Sequence, residues 1–323
     1  MVGLRLDKAI EGFELHLGAE RRSRHTIRDY NTTLRRFVNF CGADTLVDQI
    51  TTADVRAFLA HWSGATVTPR GGIDRPARKL SPKSIKNMHT ALSSFWSWMV
   101  REEYAPDHII TGRIQPPRVA RSNIEPFSAD EIKRMLDACN HSGAWETRYN
   151  GNARYFRPTA FRDRAIVMFL LDTGCRASEV ANLLVGDLDL KGNNATVLGK
   201  GSKKREVVFG PKTGSALFRY LATREVDGES RVFVTRSTGR PMKRENLLRL
   251  ITRMGERAGI KGAYPHKFRH TFAINYLRNG GDIYTLQAQL GHSSLDMVKR
   301  YLRIAGADVR RVHKRASPVE NIL

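Results

Sequence analysis

The chain has 323 residues, more than one ordinary compact domain requires, so its length predicts two domains. Its 54 lysines and arginines against 32 aspartates and glutamates give a formal net charge of +22, and 41% of its residues are hydrophobic. That apolar content excludes a disordered chain, and a charge of this size attracts polyanions, of which nucleic acid is the usual one.

Three cysteines, Cys41, Cys139 and Cys175, form no C-x-x-C pair, and their odd number argues against a disulfide framework. Residues 1–14 contain no apolar stretch of the secretory type. The longest apolar runs, such as 165–171, are far shorter than a membrane span. We therefore expect a cytoplasmic protein without a membrane segment.

The first hundred residues have the apolar periodicity of helices. Ser23 is expected to cap a helix with an apolar stripe, and Thr52 to open a second, short helix. Ser81 and Pro82 form an N-cap followed by proline at the first helical position, which predicts a third. Between the last two, the Gly-, Pro- and Arg-rich segment 66–79 should be a loop.

Basic residues lie at or near the starts of these helices. They are placed to meet the phosphates of nucleic acid, although solvated surface charge is the alternative for any one of them. The candidate DNA contacts are Arg24, Arg28, Lys83 and Lys86.

The segment 106–127 has four prolines and little periodicity, which is typical of an interdomain linker. Directly after it, Ser128 and Glu131 match the S-x-x-E capping box and predict a new helix. We therefore expect a helical first domain over 1–105 and a second domain over 128–323.

The second domain mixes helices with a few strands. A helix over 161–171 is expected to end near Gly174. The β-prone runs 196–198 and 206–209 flank the turn sequence GKGSKKR and predict a hairpin, and 231–235 predicts another strand. Further helices are expected over 245–258, 266–279, 282–290, 293–303 and 308–316.

Strands in one block, flanked by many helices, predict a mainly α protein with a small antiparallel β-sheet, the second domain being α+β or mainly α. The polar and aromatic segment 142–159 has no periodicity, and we interpret it as an insertion loop without an assigned role.

The motifs of nucleotide- and metal-dependent enzymes are missing. GKGSKK is not a P-loop, because the Walker A spacing places Asn194 where a glycine is required. The sequence contains no H-E-x-x-H, no cysteine–histidine zinc spacing and no acidic run suited to magnesium. We expect neither a metal nor a cofactor.

Cationic residues remain as candidates for chemistry. His266 and Arg269 are one helical turn apart at an expected helix start, where an anion can bind, although a solvated basic face would also explain them. Arg176 follows a tight turn, and Glu179 lies one turn beyond it, where it can orient the guanidinium. Lys200 lies at the tip of the predicted hairpin, within reach of a substrate. Taken alone, Arg176 and Lys200 could equally be solvated surface residues.

Tyr301 lies in the stretch GHSSLDMVKRYL, nine residues after His292 and among basic residues. It is off the centre of the apolar stripe formed by Leu295, Val298 and Leu302, so it need not be a core residue.

Two arginines, two histidines, a lysine and a tyrosine suit attack on a phosphodiester, because arginine forks neutralise the nonbridging oxygens in the transition state. A tyrosine of pKa about 10 needs cationic surroundings or a base to become phenolate. A phosphotyrosyl intermediate would allow rejoining without ATP.

Four segments in this order, TGCRASEVANL, GKGSKKREVV, HKFRHTFAINYL and LGHSSLDMVKRYL, resemble the tyrosine site-specific recombinases, or phage integrases, especially their compact bacterial Xer-like members. The resemblance covers the second domain throughout, and the first domain fits the family's core-binding domain more loosely. It implies a helical core-binding domain joined to a mixed α/β catalytic domain.

The resemblance also implies a role for each motif residue. Tyr301 would attack the scissile phosphate to give a 3′-phosphotyrosyl DNA and a free 5′-hydroxyl, and Lys200 would be the general acid for that hydroxyl. His266 would assist proton transfer from the tyrosine. The phosphorane would be stabilised by Arg176, Arg269 and His292.

Enzymes of this family act as tetramers on two double-stranded DNA sites and exchange strands through a Holliday junction, with accessory DNA-bending proteins as possible partners. In such enzymes a C-terminal helix docks into the neighbouring protomer, and the resemblance implies the same here. One position departs from the family: Val298 stands where a threonine is frequent.

Two alternatives remain open at this point. The first is a catalytically silent DNA-binding regulator on the same scaffold, against which the intact set of six residues argues. The second is a type IB topoisomerase-like enzyme, which shares the chemistry but works as a monomer. The short separate first domain and the C-terminal extension favour the recombinase.

Overall fold

A computed structural model gives the structure of the protein. The chain folds into two compact units, residues 1–122 and 123–323. Within the residues that the structure describes, no helix is long and apolar enough to cross a membrane. The described residues are 3–67, 77–120, 124–142, 145–147, 151–153, 155–199, 201, 203–292, 294–305, 313, 317 and 319–320.

Amphipathic helices build the first unit. Two of them begin at the predicted caps: the hydroxyl of Ser23 accepts the N–H of Thr26, and that of Ser81 accepts the N–H of Ser84. The short helix expected from Thr52 is also present. The helices are α1 (Leu6–Ala19), α2 (Arg24–Cys41), α3 (Thr52–Gly64) and α4 (Pro82–Arg101).

The expectation of a loop over 66–79 is wrong at both ends of that segment. Its ends pair as two short antiparallel strands, β1 (Thr66–Val67) and β2 (Arg78–Lys79), in the register Thr66 to Lys79. The pairing satisfies backbone N–H and carbonyl groups that a loop would leave to solvent. Residues 68–76 lie outside the described part of the chain.

Both ends of the segment predicted as a linker, 106–127, pack within a unit. In the first unit Ile110 is buried, and Nε2 of His89 lies 2.9 Å from the carbonyl oxygen of Ile114. In the second unit, the backbone N–H of Phe127 donates to the hydroxyl of Thr271 at 2.9 Å. The domain bounds expected from the sequence stay a prediction.

The second unit combines helices with small antiparallel sheets. Its helices are α5 (Ala129–Asn140), α6 (Ala160–Thr173), α7 (Ala177–Asn182), α8 (Pro211–Leu221), α9 (Arg244–Arg257), α10 (Pro265–Arg278), α11 (Ile283–Leu290) and α12 (Asp296–Ala305). Its strands are β3 (Trp145–Thr147), β4 (Gly151–Ala153), β5 (Leu188–Asp189), β6 (Asn194–Leu198) and β7 (Lys204–Val208).

Two local predictions for this unit are confirmed. Ser128 and Glu131 form the reciprocal capping box that opens α5. Gly174 ends α6 in the left-handed conformation at φ 61°, and a Cβ there would lie 2.5 Å from the ring of Phe272. Glycine is therefore required at the turn that leads into α7.

The predicted hairpin is present as β6 and β7, which pair from Asn194 with Val208 to Leu198 with Lys204. β5 extends it to a three-stranded antiparallel sheet in the order β5-β6-β7. In the segment 142–159, where we expected a loop, the described residues include the paired strands β3 and β4.

The strand expected over 231–235 is not formed. Its backbone makes only isolated bridges, Leu184 with Arg231 and Val234 with Pro241. Val232 and Phe233 are buried, so their β-prone side chains fill the core, while the chain turns away before a ladder can form. The helix expected over 308–316 lies, apart from His313, outside the described residues.

α10 divides the apolar interior of the second unit into two clusters. One surrounds α6, α9 and the three-stranded sheet, and it includes Phe268 from α10. The other lies between α10, α11 and α12, and it includes Ile274, Leu290 and Tyr301. The fold is therefore mainly α with a small antiparallel sheet, as predicted. α10 contributes side chains to both clusters, Phe268 to the first and Ile274 to the second.

Candidate active site

Arg176 occupies the N-cap position of α7, directly after the turn at Gly174. Its backbone N–H donates to Oε2 of Glu179 and its Nη1 donates to Oε1, both at 2.7 Å. The contact that their spacing predicted is thus present. Arg176 and His266 line a cleft of about 360 Å³, and the side chain of Arg176 is 32% exposed, so it is accessible to a group bound there.

Glu179 is 1% exposed and also accepts two hydrogen bonds from Arg205, at 2.8 and 2.9 Å. Burial raises the pKa of this carboxyl, but the hydrogen bonds from Arg205 and Arg176 outweigh burial and hold the pKa below its usual value. Glu179 is therefore a buried carboxylate that serves two arginines.

Sequence reasoning missed Arg205, although β7 carries a signal. Alternate residues of a strand face the same side, and Arg205 shares its side with the buried Val207. An arginine on the inward face of a strand needs a buried anionic partner. The alternation of inward and outward residues along β7 could therefore have identified Arg205 as a candidate site residue.

Arg269 is 1% exposed and is held by backbone carbonyl groups at both ends of its fork. Nη1 donates to Gly174 at 2.9 Å and Nη2 donates to Leu290 at 2.8 Å. Burial, with the nearby charge of Arg176, lowers its pKa to about 10, so it remains charged at neutral pH. One guanidinium thus ties the turn before Arg176 to the end of α11, just ahead of His292.

His292 follows the C-cap of α11, where Gly291 has φ 62°. Its Nδ1 is buried and has no hydrogen-bond partner among the described residues. Burial and the charges of Arg269 and Arg176 lower its pKa to about 4, so the ring is neutral at pH 7. The ring stacks on that of Tyr301 with centroids 6.5 Å apart.

Tyr301 is 2% exposed and belongs to the buried cluster between α10, α11 and α12. The expectation that it need not be core is wrong, because the buried face of α12 runs through Val298 and Tyr301 while Leu302 is only half-buried. Burial raises the pKa of the phenol, and the opposing charges of Arg269 and Arg300 do not overcome it. The hydroxyl is therefore protonated in this structure.

The hydroxyl of Tyr301 lies 2.9 Å from Nδ1 of His270, a residue that sequence reasoning missed. Burial and the neighbouring His266, whose ring centroid is 4.5 Å away, lower the pKa of His270 to about 4. The ring is neutral, so Nδ1 can accept the phenolic O–H. The spacing of four residues from His266, which places both rings on one face of α10, was the available signal. The role of His266 in proton transfer stays a prediction.

Lys200 lies outside the described residues. In the first unit, Arg24 and Arg28 are exposed and line a cleft of about 560 Å³ with Arg35 and other polar residues. Lys83 and Lys86 are exposed on the first turns of α4. The DNA contacts proposed for these four residues stay predictions.

No group of three or more His, Cys, Asp or Glu residues in the described ranges could hold a metal ion. Among the described residues, the guanidinium groups of Arg176 and Arg205 pair with the carboxylate of Glu179, and the charges of Arg269 and Arg300 act on Tyr301. This excess of positive charge favours an anionic ligand.

The low pKa values of the site histidines predict a loss of stability in acid. In the unfolded chain a histidine titrates near 6.5, whereas burial and His266 lower the pKa of His270 to about 4 and burial and Arg269 do the same for His292. Between these two pKa values the histidine is protonated in the unfolded chain but not in the folded one. The free energy of unfolding therefore falls as pH falls from 6.5 towards 4. For His270 we expect a loss of roughly 2 kcal/mol between pH 7 and pH 5.

Urea unfolding followed by circular dichroism at pH 7 and pH 5 measures this loss. His270→Gln should reduce it, whereas His25→Gln, on the exposed face of α2, should not. Equal pH dependence in wild type and His270→Gln would contradict the assignment.

Comparison with known proteins gives one consistent answer. The phage integrase family matches residues 126–307, and the phage integrase N-terminal SAM-like domain matches residues 10–103. The tyrosine recombinase XerC of Mycobacterium sp. strain KMS is 32% identical over 327 residues, which cover 97% of this chain and 99% of that protein. The tyrosine recombinase XerA of Thermococcus kodakarensis is 28% identical over 319 residues, 98% of each.

Solved structures share the fold. The Tn1549 transposon integrase in complex with transposon right end DNA matches with a TM-score of 0.72 at 16% identity, over 92% of this chain and 94% of that one. A lambda integrase dimer bound to a core site matches with a TM-score of 0.68 at 16% identity, over 91% and 97%. Because the family match spans more than half of the chain and a relative at 32% identity spans nearly all of it, the chain belongs to the phage integrase family and is a tyrosine recombinase, an enzyme of site-specific recombination.

Proposed function

We propose that the protein breaks and rejoins double-stranded DNA through a 3′-phosphotyrosyl intermediate on Tyr301, without a metal ion or ATP. Strands are exchanged between two sites through a Holliday junction, by a tetramer whose protomers exchange C-terminal helices. The reaction serves integration, excision or resolution of DNA, with accessory DNA-bending proteins as possible partners.

The observation that carries the proposal is the grouping of Tyr301 with Arg176, Arg269, His266 and His292 in one unit. Burial and, after it, repulsion from Arg269 and Arg176 lower the pKa of His266 and of His292, as expected where positive charge is in excess. A phosphodiester in the cleft beside Arg176 would relieve that repulsion. Its two nonbridging oxygens would meet donors already held in place, which is how preorganised sites stabilise a transition state.

The reaction needs an in-line exchange of one phosphorus–oxygen bond for another. The phenolic oxygen of Tyr301 forms a bond to phosphorus as the bond to the 5′ oxygen breaks, and the phenolic proton passes to a neutral histidine. The leaving oxygen takes a proton from Lys200, the general acid that the family resemblance implies. Reversal of these steps rejoins the strand, because the phosphotyrosyl bond retains the energy of the original phosphodiester.

The burial of Tyr301 adds one requirement. Its hydroxyl is bonded to His270 and its side chain is 2% exposed, so DNA cannot reach the oxygen in this arrangement. The groups that cover the hydroxyl must move before attack. Cleavage is therefore expected to follow a conformational step after DNA binds.

DNA binding is supported by the net charge of +22 and by the relatives whose structures hold DNA. The cleft lined by Arg24 and Arg28 and the exposed Lys83 and Lys86 are candidate phosphate contacts. Removal of one such contact should weaken binding to all sequences alike and lower the salt dependence.

The test first selects, from the DNA that flanks the gene, a duplex to which the protein binds. Two copies of this duplex are then placed on a supercoiled plasmid. In excess EDTA and without nucleotide, the wild-type protein should join the two copies into recombinant products. Relaxation of the plasmid without recombinants would support a topoisomerase-like enzyme instead. A strict requirement for a metal ion or ATP would contradict the proposed chemistry.

A further inference from the structure

We propose that Arg205 is a positioning residue that leaves the charge of Arg176 available to the scissile phosphate and sets the place of His292. This inference rests on the proposed function, since it concerns how the same site meets its phosphate.

Every nitrogen of the Arg205 side chain is engaged. Nη1 and Nη2 donate to the two oxygens of Glu179 at 2.8 and 2.9 Å, and Nε donates to the carbonyl of Gln289 at 3.0 Å. The side chain is 14% exposed. A bidentate arginine–carboxylate pair of this kind fixes the plane of both groups, which a lysine could not do.

On one side, this pair controls Arg176. Glu179 turns both oxygens to Arg205, and Arg176 shares them through one side-chain nitrogen, Nη1, and its backbone N–H. Arg205 thus neutralises a carboxylate that would otherwise pair fully with Arg176. The side chain of Arg176 stays 32% exposed at the cleft, where a phosphate can meet it.

On the other side, Arg205 supports the segment that leads to His292. A Cβ on Gly291 would lie 2.9 Å from Cδ of Arg205, so the arginine packs directly against bare backbone one residue before the histidine. The side-chain amide of Gln289 also bonds both backbone groups of Val208, at 2.8 and 3.1 Å. These two hydrogen bonds join α11 to β7, three residues beyond Arg205.

Arg205 also lies near the turn of the β6–β7 hairpin. It pairs with Val197 across the sheet, and its Nη1 is 3.5 Å from a Cβ placed on Gly199, the residue before Lys200. The Arg205 side chain therefore bonds Glu179, one turn beyond Arg176, bonds Gln289, three residues before His292, and lies close to Gly199, one residue before Lys200. A displacement of this group should disturb phosphate binding at several points together.

Stability alone does not explain the arrangement. A buried ion pair contributes little net stability, because removing two charges from water costs about as much as their attraction returns. Arg176 alone could satisfy Glu179. The second arginine on one carboxylate leaves a net positive charge beside the cleft, and that charge has a use only when an anion binds.

The test compares Arg205→Met and Arg205→Lys with Arg224→Met as control. Arg224 is a part-buried arginine of the same unit whose Nη2 donates to the backbone carbonyls of Arg231 and Val232, away from the site. Each variant is measured for DNA binding and for single-turnover cleavage of a nicked suicide duplex. The scissile group is either phosphate or methylphosphonate, which lacks one anionic nonbridging oxygen.

We expect Arg205→Met to bind DNA nearly as wild type and to cleave the phosphate substrate about 100-fold more slowly, as when one transition-state donor is lost. The loss should be much smaller on the methylphosphonate, which demands less from Arg176. Arg205→Lys should also lose more rate on the phosphate than on the methylphosphonate, but by a smaller factor. This variant provides the test if Arg205→Met does not fold. Arg224→Met should affect both substrates equally.

A second comparison separates positioning from simple support. Adding Glu179→Gln to Arg205→Met removes the charge that captures Arg176, so the double variant should regain part of the lost rate. Equal losses on both substrates, or a further loss in the double variant, would overturn the proposal. A wild-type protein that forms no adduct on the suicide duplex would refute the proposed function instead, so the two failures are distinguishable.

Discussion

Tyr301→Phe is expected to abolish the covalent protein–DNA adduct and to leave binding of the target duplex essentially intact. The phenyl ring keeps the packing between α10, α11 and α12, and only the attacking oxygen is removed. The measurement uses a duplex nicked close to the cleavage site, so that the short fragment with the released 5′-hydroxyl diffuses away and traps the adduct. The adduct is then seen on a denaturing gel.

The change also removes the hydrogen bond to His270, whose buried Nδ1 loses its donor. We expect a cost of about 1–3 kcal/mol in the free energy of unfolding, which urea unfolding can confirm is too small to unfold the protein. Tyr276→Phe is the matched control, since its hydroxyl donates to Thr285 at 2.9 Å in the same unit. A covalent adduct with Tyr301→Phe would place the nucleophile elsewhere.

Local signals in the sequence were sufficient for much of the fold. The caps at Ser23, Ser81 and Ser128 depend on residues three positions away, and the glycine at 174 depends on its own backbone conformation. Such features are fixed by short-range chemistry and can be predicted without knowing what packs on them. The strand expected over 231–235 is not formed, because a ladder needs successive pairs with one neighbouring strand and this segment bridges once to Leu184 and once to Pro241. Local β-propensity does not determine such pairing.

The site shows the same division. Spacing alone was enough to place Glu179 beside Arg176, because one helical turn brings them together. The partners of Arg205 are 26 and 84 residues away in the chain, and His270 meets Tyr301 across 31 residues. The side on which a helix is buried is likewise set by its neighbours, and for this reason Tyr301 proved to be core.

The contact between His270 and Tyr301 gives a second large expected effect: His270→Ala should slow cleavage by about 100-fold or more, as for loss of a positioned proton acceptor. His270 is neutral at pH 7, is 8% exposed and holds Nδ1 2.9 Å from the phenol. The phenol needs such a partner, because burial raises its pKa despite the nearby arginines. Single-turnover cleavage of the nicked duplex measures the effect.

The pH profile distinguishes proton transfer from positioning. Burial and His266 lower the pKa of His270 to about 4, and a bound phosphate shifts it upward, so the wild-type rate should fall as pH drops towards that value and the acceptor becomes protonated. His270→Asn can still accept a hydrogen bond but takes no proton, so it should stay slow and lose the acid limb of the profile. A fast His270→Asn would reduce His270 to a positioning role. If His266→Ala rather than His270→Ala removed the limb, the proton would pass to His266, as the family resemblance implied.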